Sequence, residues 1–108
     1  MNTQQVEFLA EAIASLQTED YPLFQSALIS KMVKKTPGVA GGHACVRNTR
    51  IAVWTLISLS HQGMDDESLV NDFEGLTHFD LLAAKMYYRA NQSEIDTIIT
   101  SHHIEDWQ

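Results

Sequence analysis

The sequence predicts a mainly helical chain: a trihelical, helix-turn-helix-like domain with a small β-hairpin before it and a further N-terminal helix. Three observations carry that reading. Apolar residues recur at helical spacing in several separate stretches, most of them opened by a capping residue. Breaks such as Gly63 and Glu74-Gly75 separate those stretches at short intervals. One run, "ACVRNTRIAV", reads instead as two short strands joined at Asn48-Thr49.

The first helix rests on Val6, Leu9, Ile13 and Leu16, spaced by three and four, opposite Glu7 and Glu11. Asn2, with Gln5 three residues on, has the form of a capping box. "QTEDYP" ends this helix, because Tyr21, preceding Pro22, is pushed away from helical geometry. From Leu23 to Val33 the pattern fits a short helix or an extended segment equally. "KTPGVAGG" is a loop, and Gly41-Gly42 gives the chain a bend before the hairpin. A two-residue turn sets Val46 opposite Ile51 and leaves Arg47 and Arg50 together, with Asn48 tolerating the positive φ and Thr49 not; a four-residue turn, "RNTR", also brings the two guanidiniums close.

Beyond the turn, "VWTLISLSHQ" is helical with Gly63 as its stop. Asp65 caps "MDDESLVNDF", and Glu74-Gly75 ends it. Thr77 caps the next helix, whose apolar face reads Phe79, Leu82, Ala83, Met86, Tyr87 and Ala90. Its outward residues are then His78, Asp80, Lys85, Tyr88 and Arg89. Ser93 and Asp96 open a last helix presenting Ile95, Ile98 and Ile99.

A chain of 108 residues supports one core with little to spare. No apolar run approaches the roughly 18 residues of a membrane helix, so no membrane contact is expected. The acidic, amphipathic start "MNTQQVEFLAEAIASL" resembles neither a signal nor a transit peptide, and a cytoplasmic location is the default. Cys45 is the single cysteine, which excludes an internal disulfide or a cysteine-rich zinc site.

Charge is unevenly distributed. Residues 21 to 64 lack Asp and Glu but hold Lys31, Lys34, Lys35, Arg47 and Arg50. Residues 1 to 20 carry four acids and no base; residues 65 to 108 carry ten acids against Lys85 and Arg89. A net charge of −7 argues against simple coating of nucleic acid. The basic middle either receives an external anion or docks on the acidic remainder.

Arg47 and Arg50 sharpen the choice, since like charges opposed across strands repel. Their anion is a partner's carboxylate, a phosphate of nucleic acid, or a carboxylate from the acidic C-terminal half. Other chemistry is thin. His43 and Cys45 share a strand face but have no acid near in sequence, so Cys45 reads as a small buried residue. His102 and His103 are adjacent and diverge on a helix, while His43, His61 and His78 stand alone, so neither metal nor cofactor is expected. No motif unites nucleophile, base and oxyanion site, and the expectation is a protein that is not an enzyme.

The stretch from Thr36 to about residue 100 resembles an antitoxin-like bacterial family, domain of unknown function 433. The resemblance is carried by Gly41-Gly42, Cys45-Val46-Arg47, Thr49-Arg50-Ile51 and Val53-Trp54, with "GLTHFDLLAAKMYY" further on. Asn48 stands where glycine is usual, Ala44 and Ala52 where prolines are common, and Ala40 where cysteine is frequent. The resemblance implies a homeodomain-like unit acting as antitoxin to a PIN-type ribonuclease toxin, sometimes also binding operator DNA. Residues 1–35 are then an N-terminal helical extension for packing or dimerisation, and 36–108 the hairpin and helix-turn-helix-like domain. The expected contacts to toxin or DNA are Arg47, Asn48, Arg50, Lys85 and Arg89, in a homodimer. The other reading is a protein-interaction or dimerisation module without nucleic-acid binding.

Overall fold

The structure, a computed structural model, describes residues 1–106, with side chains described through His102; the expectation for His103 therefore lies outside the described side chains. Helix α1 (Thr3–Ala14) starts at the capping box expected from sequence. Asn2 Oδ1 accepts the Gln5 N–H, and Gln5 Oε1 accepts the Asn2 N–H, both at 2.9 Å. None of its residues is buried. A 3-10 turn at Thr18–Asp20 leads into α2 (Tyr21–Met32).

Here one expectation fails. Tyr21 is helical (φ −58°, ψ −46°) and begins α2 rather than ending a helix. Pro22 lies in the first turn, where its missing N–H has no intrahelical partner to lose. The ambiguous segment after it is helix as far as Met32, followed by strand β1 (Val33–Lys35).

Strand β1 pairs antiparallel with β2 (Ala44–Val46) in the register Val33↔Val46, Lys34↔Cys45, Lys35↔Ala44. A small hairpin thus precedes the helices, but its main partners differ from those read in "ACVRNTRIAV". Across the Asn48-Thr49 turn only the Cys45↔Ala52 bridge forms, with Val46 N–H donating to Ile51 O at 3.1 Å. That register is the expected one. It stops after one bridge because helix α3 (Val53–His61) begins at the next residue. β1 lies within the residues assigned to the N-terminal extension, yet its partner is β2.

Helices α4 (Asp66–Asp72), α5 (His78–Ala90) and α6 (Gln92–Asp106) follow. Asp65 caps α4 by accepting the Ser68 N–H at 2.8 Å. Ser93 is inside α6 and does not open it; the Asp96 carboxylate accepts the Tyr88 hydroxyl at 2.8 Å instead. α5 is central, packing on α2, α3, α4 and α6. Val46, Val53, Leu56, Leu69, Leu81, Ala84 and Ile95 form a core with essentially no exposure.

The inward face of α5 is also not the one its sequence suggests. Asp80, Leu81, Ala83, Ala84 and Tyr87 are buried, while Phe79 and Leu82 remain 51% and 49% exposed. Two overlapping stripes satisfy helical spacing here, and periodicity alone does not say which one the neighbours cover. Among the described residues, no helix is long and apolar enough to cross a membrane.

Candidate functional site

The turn after β2 is built by local hydrogen bonds. Thr49 N–H donates to Val46 O at 3.1 Å; its hydroxyl donates to the same carbonyl at 2.6 Å and accepts the Ile51 N–H at 3.1 Å. The left-handed backbone falls on Arg47 (φ +46°) and not on Asn48. A left-handed residue with a side chain costs about 1–2 kcal/mol. Something must hold it.

What holds it is Asp80. The Arg47 guanidinium grips both carboxylate oxygens of Asp80 through Nε and Nη2, and Nη2 also donates to Gly75 O at 3.1 Å. Planar two-pronged pairing of this kind is the strongest form of a charge-assisted hydrogen bond. Asp80 is fully buried and closes the capping box of α5, accepting Thr77 N–H at 3.0 Å while Thr77 Oγ1 accepts Asp80 N–H at 3.0 Å. The arginine, opposed by burial but helped by the Thr77 bonds, holds the Asp80 carboxyl below the usual carboxylate range. Hydrogen bonding to Asp80 in turn raises the Arg47 pKa. Asp80, read from sequence as an outward residue, is therefore an internal counter-ion, and the repulsion between the two arginines is relieved on the Arg47 side.

Arg50 has no such partner. It is exposed, as are Asn48 and Lys34, and neither Arg50 nor Lys34 is ion-paired among the described residues. The β1–β2 register brings Lys34 beside this turn. Lys34, Thr36, Asn48, Thr49 and Arg50 line a cleft of about 250 Å³, with the Arg47 edge completing it. Two cations, the Thr36 hydroxyl and an amide around one concavity can receive a carboxylate or a phosphate.

Of the residues expected from sequence, Arg47, Asn48 and Arg50 are thus together, and Lys85 and Arg89 are elsewhere. Lys85 Nζ is held by both Asp66 oxygens at 2.8 and 2.9 Å. Arg89 lines a separate groove between α2 and α5. Lys34 was missed. The acid-free stretch contained the signal, but choosing Lys34 from its four other cations needs the strand pairing.

Lys35 faces away from the cleft and joins Glu94 at 2.9 Å; Tyr87 donates its hydroxyl to the same carboxylate. This cluster ties β1 to α5 and α6. Cys45 is buried with Sγ 3.5 Å from His43 O, and burial pushes its thiol up. The His102 ring stacks on Trp54 at 4.0 Å. Among the described residues, no three His, Cys, Asp or Glu side chains gather to hold a metal ion.

Comparisons place this geometry among relatives. The model of the family described as "Protein of unknown function (DUF433)" matches residues 33–88. The crystal structure of a DUF433 member protein from Anabaena variabilis is 42% identical, with a TM-score of 0.63, over 93% of this chain and 99% of that one. No curated protein matches the chain.

Proposed function

This chain belongs to the DUF433 family, and from that premise we propose that it is a non-enzymatic binding module, the antitoxin component of a bacterial toxin–antitoxin pair. Its cationic turn cleft receives carboxylates of a PIN-type ribonuclease toxin. The observation that carries this reading is the contrast between the two arginines: Arg47 is neutralised by Asp80, while Arg50 and Lys34 stand exposed at one concavity. Arg47 and Asp80 fix the turn, and Lys34, Asn48 and Arg50 present donors to the partner. Guanidinium and ammonium groups held this way match the acidic centre expected of such a nuclease.

Operator DNA is a second ligand for the same cleft, because a phosphate oxygen and a carboxylate oxygen ask for the same donors. Helix α5 is a poor DNA-reading helix. Its outward surface includes Phe79 and Leu82, its Lys85 is held by Asp66, and acidic α4 lies beside it. Those apolar residues favour protein contact on that side, as a protein-interaction module without nucleic-acid binding requires.

The test is co-purification with the product of the adjacent gene, comparing wild type with the Lys34→Ala/Arg50→Ala variant. Loss of a wild-type complex in the variant supports the reading. A complex that survives the double substitution removes the cleft from the interface, and no complex with wild type removes the toxin. For DNA, affinity for the promoter fragment should fall steeply with salt, with a slope reduced by about two on removing both cations.

A further inference from the structure

Helix α1 leaves its apolar stripe largely uncovered. Val6 and Leu9 are 50% and 47% exposed, Phe8 is 75% exposed, and Ile13 is half-buried. Twelve residues are marginal for an isolated helix in water, so a helix of this length draws most of its stability from packing its apolar face. Instead α1 packs on no other element to any substantial extent, and none of its residues is buried.

A second apolar surface is uncovered on the body. α5 is apolar on more of its circumference than the core occupies. Leu81, Ala84 and Tyr87 face inward, whereas Phe79, Leu82 and Met86 form a further stripe spaced by three and four. Met86, with Ala90 and Arg89, lines a groove of about 310 Å³ against Pro22, Gln25 and Ile29 of α2.

We infer that the α2–α5 groove, extended along Phe79 and Leu82, receives α1 of a second copy of this chain, reciprocally, in a two-fold dimer. Three features select that occupant. The α1 stripe, Val6–Leu9–Ile13, has the same three-four spacing as Phe79–Leu82–Met86, the pattern by which two helices interdigitate. Lengths match: the twelve residues of α1 and the twelve from Phe79 to Ala90 each span about 18 Å. Net charge is complementary, since α1 carries Glu7 and Glu11 and no base, while α2 holds Lys31 and no acid and the groove holds Arg89. Glu7 and Glu11 lie opposite the α1 stripe and stay in solvent, so charge steers the approach and apolar contact retains it.

The experiment is the solution mass of the full chain by light scattering, for wild type, Leu9→Glu and Leu82→Glu, with circular dichroism as the folding control. Both substituted residues are about half exposed, so the monomer tolerates the change. Wild type is expected at twice its 12.2 kDa chain mass, and each variant at the single-chain mass with unchanged helicity. Mixing Leu9→Cys with Leu82→Cys chains under oxidation should give the mixed disulfide in preference to either like pair. A monomeric wild type overturns the proposal, including the case where α1 folds back on its own groove. A dimer indifferent to Leu82→Glu, or a Leu9→Cys chain that pairs mainly with itself, overturns the groove as the docking surface.

Discussion

Arg47 and Asp80, 33 residues apart in the chain, meet as a two-pronged ion pair that fastens the turn after β2 to the first turn of α5. One partner is 42% exposed at its side chain and the other 1%. The pair therefore joins a surface turn to a buried cap, and each side depends on the other. Without the arginine, a buried carboxylate loses its counter-ion; without the carboxylate, a left-handed arginine loses its anchor.

The pair should show in a double-mutant cycle. Arg47→Ala is expected to destabilise more than Thr77→Ala, which removes one capping bond at a cost of about 1 kcal/mol. Removing Arg47 leaves the Asp80 charge buried without its partner, the costly way to break such a pair. Arg47→Ala combined with Asp80→Ala should then cost less than the two single changes added together. Urea denaturation of the four proteins measures this, and additive values would contradict the pairing.

Acid should act through the same carboxylate. The folded-state pKa of Asp80 is depressed, mainly by Arg47. Its contribution is complete above the ordinary carboxylate pKa of about 4 and is lost as pH falls from there through the lower folded value. Melting temperature between pH 2 and 7 should fall more steeply below pH 4 for wild type than for Asp80→Asn. Parallel curves would mean that Asp80 does not govern the acid limb.

Gly75 supplies both a left-handed turn (φ +84°) and the carbonyl that Arg47 holds. There is open space where a Cβ would lie, so the penalty for alanine is conformational and not steric crowding from a neighbour. Gly75→Ala should cost about 1–2 kcal/mol, read from the shift in urea midpoint at unchanged slope.

The two stripes of α5 predict opposite responses. Leu81 is 2% exposed, and Leu81→Ala should cost about 2–5 kcal/mol. Leu82→Ala, measured on dilute monomer, should change stability by less than about 0.5 kcal/mol. Comparable losses at both positions would place the inward face elsewhere.

Cys45 should be silent to thiol reagents in the native protein, because burial hides Sγ and pushes its pKa up. Labelling with a maleimide is expected only after denaturation, at one equivalent per chain. Rapid native labelling would show that the β1–β2 pair opens readily.

Local rules were legible where one short-range bond decides the outcome. The Asn2–Gln5 box, the Asp65 cap, the Thr77 cap and the stops at Gly63 and Gly75 all stand as the residues implied. The site was half legible. Arg47, Asn48 and Arg50 were visible as a group, but Lys34 enters only through pairing across the 36–43 loop. A three-residue strand carries too little pattern to announce its partner.

The sequence by itself determined most of the helices, the caps at Asn2, Asp65 and Thr77, the turn rich in cations and the family, because these depend on neighbours within four residues or on a contiguous motif. Tertiary structure alone decided which side of α5 is inside, which strand β2 joins, and which arginine is already neutralised. Those outcomes turn on contacts between residues far apart in the chain. Asp80 shows the limit: the apolar spacing of its helix read it as an outward residue, and only the packing of the turn against α5 made it the buried anion that Arg47 meets.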